Sequence, residues 1–354
     1  MRRLILFALL ACLSAVPTLG AELTVPGLDR VWEEAEGYGV ARGEGLDQGV
    51  SNLFSAAAAQ IGGVLRGSLS TALKLVAVVL LCALAEGAQP QEGDGKLQAV
   101  TIAGALAITA LTMTDMAAMI GLGRDTLGRM ESFSAILLPA VAVLTAATGR
   151  ITEAAVRQGA TVLFSQLLIA VMDRLLLPLI YAFVAVSCAQ AAVGNPGLSR
   201  IAGLLKSAVT TVLTALLLAF VGYLTASGAI AGSVDAAAVK TAKMAISRAI
   251  PVVGGILADA SESVLAGAGA LKGTVGAAGL LVVLAICLTP FLHLGLQYLV
   301  YRGAAALCAL VAQPKLSGLI DAIGSAFGLV LGMTGAGALI LLVSLVSAIG
   351  AVSL

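Results

Sequence analysis

Charge is scarce in this chain of 354 residues: 11% are Asp, Glu, Lys or Arg, against 60% that are hydrophobic. A soluble domain carries roughly 25% charged residues, and a water-soluble fold could not hide so much apolar surface. The net charge is +1 and no run of like charges occurs, which excludes a nucleic-acid surface and a polybasic lipid-binding tail. The single histidine, His293, stands in an apolar stretch with no cysteine or acidic cluster beside it, so a metal site has no support. No G-x-x-x-x-G-K-[ST] loop is present. The stretch from Gly269 to Thr274 has the wrong spacing for one, and Gly121 to Gly123 lacks a preceding strand. G-x-S-x-G and H-E-x-x-H are also missing, so the common hydrolase signatures are excluded and no cofactor is expected. Of five cysteines, Cys12 lies in the N-terminal apolar stretch, while Cys82, Cys188, Cys287 and Cys308 sit inside apolar segments. They read as small buried hydrophobes and not as a disulfide framework.

What is abundant is long apolar sequence. Leu97 to Met113, Ser207 to Ala231, Thr274 to Leu292 and Ser325 to Val352 show no period-2 alternation. About 20 helical residues cross roughly 30 Å of hydrocarbon, and a helix satisfies its own backbone hydrogen bonds in lipid. The fold class is therefore all-α: a polytopic membrane helix bundle of about seven or eight spans. Candidate spans fall at Ser68 to Ala85, Leu97 to Leu122, Phe133 to Thr148, Ala160 to Leu177, Leu179 to Val193, Ser207 to Ala231, Thr274 to Tyr298 and Ala322 to Val352.

Five segments follow. Residues 1–21 have the form of a cleavable signal peptide, with Arg2 and Arg3 before the apolar stretch Leu4 to Val16 and small residues at Gly20 and Ala21. An uncleaved anchor is the alternative, because Leu19 occupies one candidate −3 position. Residues 22–67 read as an acidic extracytoplasmic lead-in, residues 68–231 as the first set of transmembrane helices, residues 232–273 as an amphipathic hairpin, and residues 274–354 as the last spans. An eight-span model places Arg150 with Arg157, Arg200 with Lys206, and Arg302 with Lys315 on the cytoplasmic side. It leaves Lys240, Lys243, Arg248 and Lys272 outside, so the Lys/Arg bias does not decide orientation.

The most specialised stretch is residues 232–273. Val239, Ala242, Ile246 and Ala249 fall at helical spacing on one face, with Lys240, Lys243 and Ser247 on another. Pro251, Gly254 and Gly255 should interrupt that helix, after which Asp259 and Glu262 share a face of a second one. Such a hairpin either is re-entrant, its charges lining a wet pathway or meeting a partner, or lies in the headgroup region with its charges solvated. A second candidate is Asp173 with Arg174, which interrupt an apolar stretch just before Pro178. Proline removes a backbone donor and disfavours helix at the residue before it, so a tight hairpin or broken helix is expected there. Glycine pairs such as Gly269 with Gly273 and Gly328 with Gly332 can let helices approach closely.

The block from Asp235 to Gly279 resembles the stage III sporulation protein AE family. It contains VKTAKMAIS at Val239 to Ser247, IPVVGGILADASESVL at Ile250 to Leu265 and LKGTVGAAGL at Leu271 to Leu280. LLLPLIYAFVAV at Leu175 to Val186 and the P-F-L-H turn at Pro290 to His293 extend the likeness. The resemblance implies a non-enzymatic subunit of a mother-cell membrane assembly that forms a channel-like, secretion-like link to the forespore. Implied partners are membrane lipid, the other stage III sporulation A-operon proteins including a separate cytoplasmic ATPase, and, indirectly, the forespore stage II sporulation protein Q. The implied location is the mother-cell, or outer forespore, membrane. The rivals are a stand-alone small-solute transporter with its site at broken helices near Pro178 and Pro251, and an intramembrane enzyme, for which no paired nucleophile and base is visible.

Overall fold

The computed structural model describes residues 46–87, 94–147, 163–164, 166–226, 274–311 and 314–350, together with Glu33 and Glu36. The segments expected to be a signal peptide (1–21) and an amphipathic hairpin (232–273) lie outside the described residues. Among the described residues there is no strand. Six helices carry the fold: α1 (Leu46–Gly87), α2 (Asp94–Ala147), α3 (Leu177–Val193), α4 (Pro196–Ala226), α5 (Thr274–Ala309) and α6 (Pro314–Gly350). Helical residues 166–171 and a π-helical turn, Met172–Leu176, run directly into α3. Each of the six, α3 being counted together with these upstream residues as 166–193, is long and apolar enough to cross a bilayer.

Two pairs of expected spans are fused. Leu97 to Leu122 and Phe133 to Ala147, the described part of the expected span ending at Thr148, belong to the single helix α2, 54 residues or about 80 Å long. Between them stand Arg124, Asp125, Arg129 and Glu131. These charges interrupt hydropathy, yet Arg and Glu are good helix formers and no proline intervenes, so the backbone continues. Helix α1 likewise starts at Leu46, well before Ser68: Ala56 to Ala59 favour helix and no proline interrupts the stretch, despite Gly49, Gly62, Gly63 and Gly67.

The turn expected at Pro178 is also absent. Proline lacks an N–H and its ring collides with the carbonyl four residues back, here that of Arg174. The chain absorbs this with the wider π turn immediately upstream, leaving Pro178 in the first turn of α3, where a missing donor costs nothing. Pro290, expected in a turn, likewise lies inside the continuous helix α5.

The real turn comes at Gly194 and Asn195. Gly194 adopts φ 73° and its N–H donates to the Gln190 carbonyl at 2.7 Å, closing α3 with a left-handed cap. Asn195 Oδ1 accepts from the Gly197 N–H at 2.8 Å, and Pro196 opens α4. Gly194→Ala forces a Cβ into left-handed backbone and is expected to lower stability by about 1–2 kcal/mol. Thermal unfolding in detergent checks this, and Gly194→Asn should lose less.

Three pairs of consecutive helix ends, α1 with α2, α3 with α4 and α5 with α6, gather at one end of the bundle. Lys315 Nζ reaches the Gly194 turn, while Leu316 packs beside Cys82 and Gly104, near the α1–α2 connection. At the opposite end Gly49 abuts Leu281, and Gly279 abuts Leu345 and Leu137. The helices therefore alternate in direction: α1, α3 and α5 run toward the turn end, and α2, α4 and α6 run away from it.

Helix α6 is the hub. It packs against α5, α2, α3 and α4, and every residue of its most apolar stretch is buried. The other helices bury only part of theirs and expose the rest: Leu73 and Leu84 of α1 are 71% and 68% exposed, and Leu204 of α4 is 69%. Exposed leucine at this density is a lipid-facing exterior, as the sequence requires. Close approach to the hub uses small residues. A Cβ on Gly328 would touch the Tyr298 ring at 3.0 Å, one on Gly324 would meet Tyr301 at 3.2 Å, and one on Gly337 would meet Leu127 at 3.0 Å. Of the two glycine pairs singled out in the sequence, Gly328 does serve such a contact, and Gly269 with Gly273 lies outside the described residues.

Candidate functional site

Among the described residues three groups of polar side chains join helices within this bundle, beside a Thr101–Glu86 hydrogen bond between α1 and α2. The innermost is centred on Asp115 of α2. Its Oδ2 accepts from the Tyr301 hydroxyl at 2.8 Å and from Gln297 Nε2 at 3.2 Å, both on α5. Gln297 Oε1 in turn accepts from the Ser68 hydroxyl of α1. Tyr301, Gln297 and Ser68 are buried, and Asp115 is half-buried. Gln297 and Tyr301 stand four apart and so share one face of α5. Tyr301 is held from behind by an edge-on contact with Phe327 of α6, ring centroids 4.9 Å apart. A carboxylate inside a lipid-facing bundle is costly unless donors surround it, and here two converge on one oxygen.

The second group lies toward the turn end. Arg302 of α5 forms an ion pair with Asp321 of α6, donates to the Tyr298 hydroxyl at 3.4 Å, and has its guanidinium 5.8 Å from that ring's centroid. Lys206 of α4 donates to Ser325 at 3.2 Å. Because Asp321 and Ser325 are four apart on the hub, this group ties α4 and α5 to one face of α6. The sequence reading had grouped Arg200 with Lys206, and Arg302 with Lys315. The structure collects all four at this end.

The third group holds one of the expected site residues. Asp173, in the π turn, pairs with Arg124 of α2: Nε lies 2.8 Å from Oδ1, and Nη2 donates to Oδ2 at 3.3 Å. Its sequence neighbour Arg174 is exposed, as is Pro178. Turning the chain through a π step thus points Asp173 at another helix. Lys240, Lys243, Arg248, Pro251, Gly254, Gly255, Asp259, Glu262 and Lys272 all lie outside the described residues.

Sequence reasoning missed Asp115, Gln297 and Tyr301. One signal was present: Asp115 closes the apolar run Leu97 to Met113, and an ionisable residue at such a place is a functional candidate by default. His293 is half-buried in α5. Among the described residues no group of three or more His, Cys, Asp or Glu side chains is placed to hold a metal ion.

The arrangement offers interhelical locks and a polar seam, built from one carboxylate, one amide and two hydroxyls. Comparison with known proteins gives it a setting. A curated relative, the stage III sporulation protein AE of Bacillus subtilis (strain 168), is 25% identical over 239 residues, which covers 68% of this chain and 59% of that protein. The match therefore spans well under two thirds of the relative's length. No solved structure matches the chain. The family model described as stage III sporulation protein AE matches residues 41–352, which takes in all six helices and all three polar groups. With that extent of match, this helical membrane protein belongs to the stage III sporulation protein AE family.

Proposed function

We propose that the chain is a non-enzymatic, multi-spanning subunit of a channel-like or secretion-like assembly in the mother-cell membrane, linking mother cell and forespore during endospore development. The observation that carries this reading is the family match over residues 41–352. The physical character of the bundle supports it. Among the described helices α6 is enclosed by α2, α3, α4 and α5, which suits a packed subunit that acts with others. The sequence carries no phosphate-binding loop, so a nucleotide-driven step falls to a separate ATPase. The stand-alone transporter reading asks for broken helices near Pro178 and Pro251; near Pro178 the chain stays helical through a π turn, and Pro251 lies outside the described residues.

In this reading the hairpin of residues 232–273 is the contact element, and Lys240, Lys243, Asp259 and Glu262 meet partner subunits of the same operon. A tagged copy captured from sporulating mother cells in mild detergent should bring down the ATPase and further small membrane proteins. Single alanine replacements of those four residues should cut that recovery and lower spore yield while membrane insertion stays intact. Recovery of the wild-type chain alone, together with solute uptake by proteoliposomes containing nothing else, would reject the assembly role in favour of transport.

A further inference from the structure

At the turn end, the α3–α4 corner and the start of α6 enclose a cleft of about 410 Å³. Arg200 of α4 and Lys315 of α6 line it, with Gln190, Gly194, Asn195 and Ser199 between them. No carboxylate is among the lining residues. The nearby Asp321 is engaged by Arg302, and neither Arg200 nor Lys315 forms an ion pair among the described residues. Two positive charges therefore face one cavity without a counter-charge. Both side chains are exposed. Asn195 commits its Oδ1 to the Gly197 N–H, which leaves its Nδ2 donors available to the cleft, and Ser199 adds a hydroxyl. Helices α4 and α6 begin here and α3 ends here, so helix-dipole ends of both signs meet at the cleft and the side-chain cations set its charge. The left-handed glycine gives Lys315 room: a Cβ on Gly194 would lie 3.1 Å from its Nζ.

We propose that this cleft binds a phosphate group at the membrane surface. A phosphate presents several acceptor oxygens and negative charge to a ring of donors that has cations but no acid. The position favours it as well, since the hairpin turns of a membrane-crossing bundle emerge at the headgroup level, where basic clefts between helices take anionic lipid. Bound there, the phosphate joins the α3–α4 hairpin to the first turn of the hub helix. The site is independent of the partner contacts assigned to residues 232–273.

The test uses the full chain in nonionic detergent, with bound lipid counted by native mass spectrometry as phosphatidylglycerol or phosphatidylcholine is titrated in. Inorganic phosphate is added as a competitor in a second arm. Wild type should retain phosphatidylglycerol in preference to phosphatidylcholine, and R200Q/K315Q should bind it roughly thirtyfold more weakly, from about one cation's attraction lost at each of the two positions. Arg129 is exposed and far from the turn end, so R129Q should bind as wild type does. Ser199→Asp introduces a carboxylate into the cleft and should abolish retention, which keeps the test decisive if the double variant does not fold. Phosphate adducts held by wild type and lost in R200Q/K315Q, without phosphatidylglycerol retention, would assign the site to a soluble phosphate. Equal binding of both probes by wild type, R200Q/K315Q and S199D, or an equal loss in R129Q, would overturn the proposal.

Discussion

Asp115→Leu is expected to be among the most disruptive single changes in the described bundle. It removes the one acceptor on which the Tyr301 hydroxyl and Gln297 Nε2 converge, and both donors are buried. Each stranded donor costs about 1–3 kcal/mol, so the pair should cost about 2–4 kcal/mol, the two effects being coupled through one carboxylate. The loss reaches a third helix, because Gln297 also receives the Ser68 hydroxyl of α1. Thermal unfolding in detergent measures it. Asp115→Asn separates structure from charge, since its amide oxygen still accepts from Tyr301. If the carboxylate serves only as an interhelical lock, Asp115→Asn should unfold near the wild-type temperature and sporulate normally. Normal folding with lost spores would instead give the charge itself a working part.

Gly123→Ala is the second large effect. An added Cβ would collide with Cγ1 of Val330, a β-branched and therefore stiff side chain on the enclosed hub helix. Overpacking of this kind costs about 1–3 kcal/mol. Two further variants make the claim specific. Val330→Ala introduced alongside should recover much of the loss, giving a clear coupling term in a double-mutant cycle. Gly121→Ala, two residues away on the same helix and facing open space, should be neutral or stabilising by up to about 1 kcal/mol through helix propensity alone. Equal destabilisation by Gly121→Ala and Gly123→Ala would contradict the hub packing.

The helical, membrane-crossing character was legible in sequence because it depends on run length and polarity, which Leu97 to Met113 or Thr274 to Leu292 display without any partner. Continuity was not. Hydropathy falls at Arg124, Asp125, Arg129 and Glu131 whether the backbone turns or carries on, and here it carries on. Pro178 misled for a related reason: a proline breaks an α-helix, but one π turn upstream accommodates it. The true corner was written locally as glycine, asparagine and proline at 194–196, the cap and entry residues that two antiparallel helices need. The polar seam was the least legible part. Ser68 and Gln297 are 229 residues apart, and nothing in either neighbourhood names the other. Asp173 is flagged by its charge, yet its partner Arg124 falls between the expected spans Leu97 to Leu122 and Phe133 to Thr148, where α2 is continuous.

The enclosed position of α6 also sets an order of events during synthesis. The helix that α2, α3, α4 and α5 surround follows all of them along the chain. While residues 314–350 are still being made, the earlier hairpins sit in lipid around an unfilled slot. Their final arrangement must wait for this late wedge, so the ribosome delivers the keystone only after the arch has been laid out.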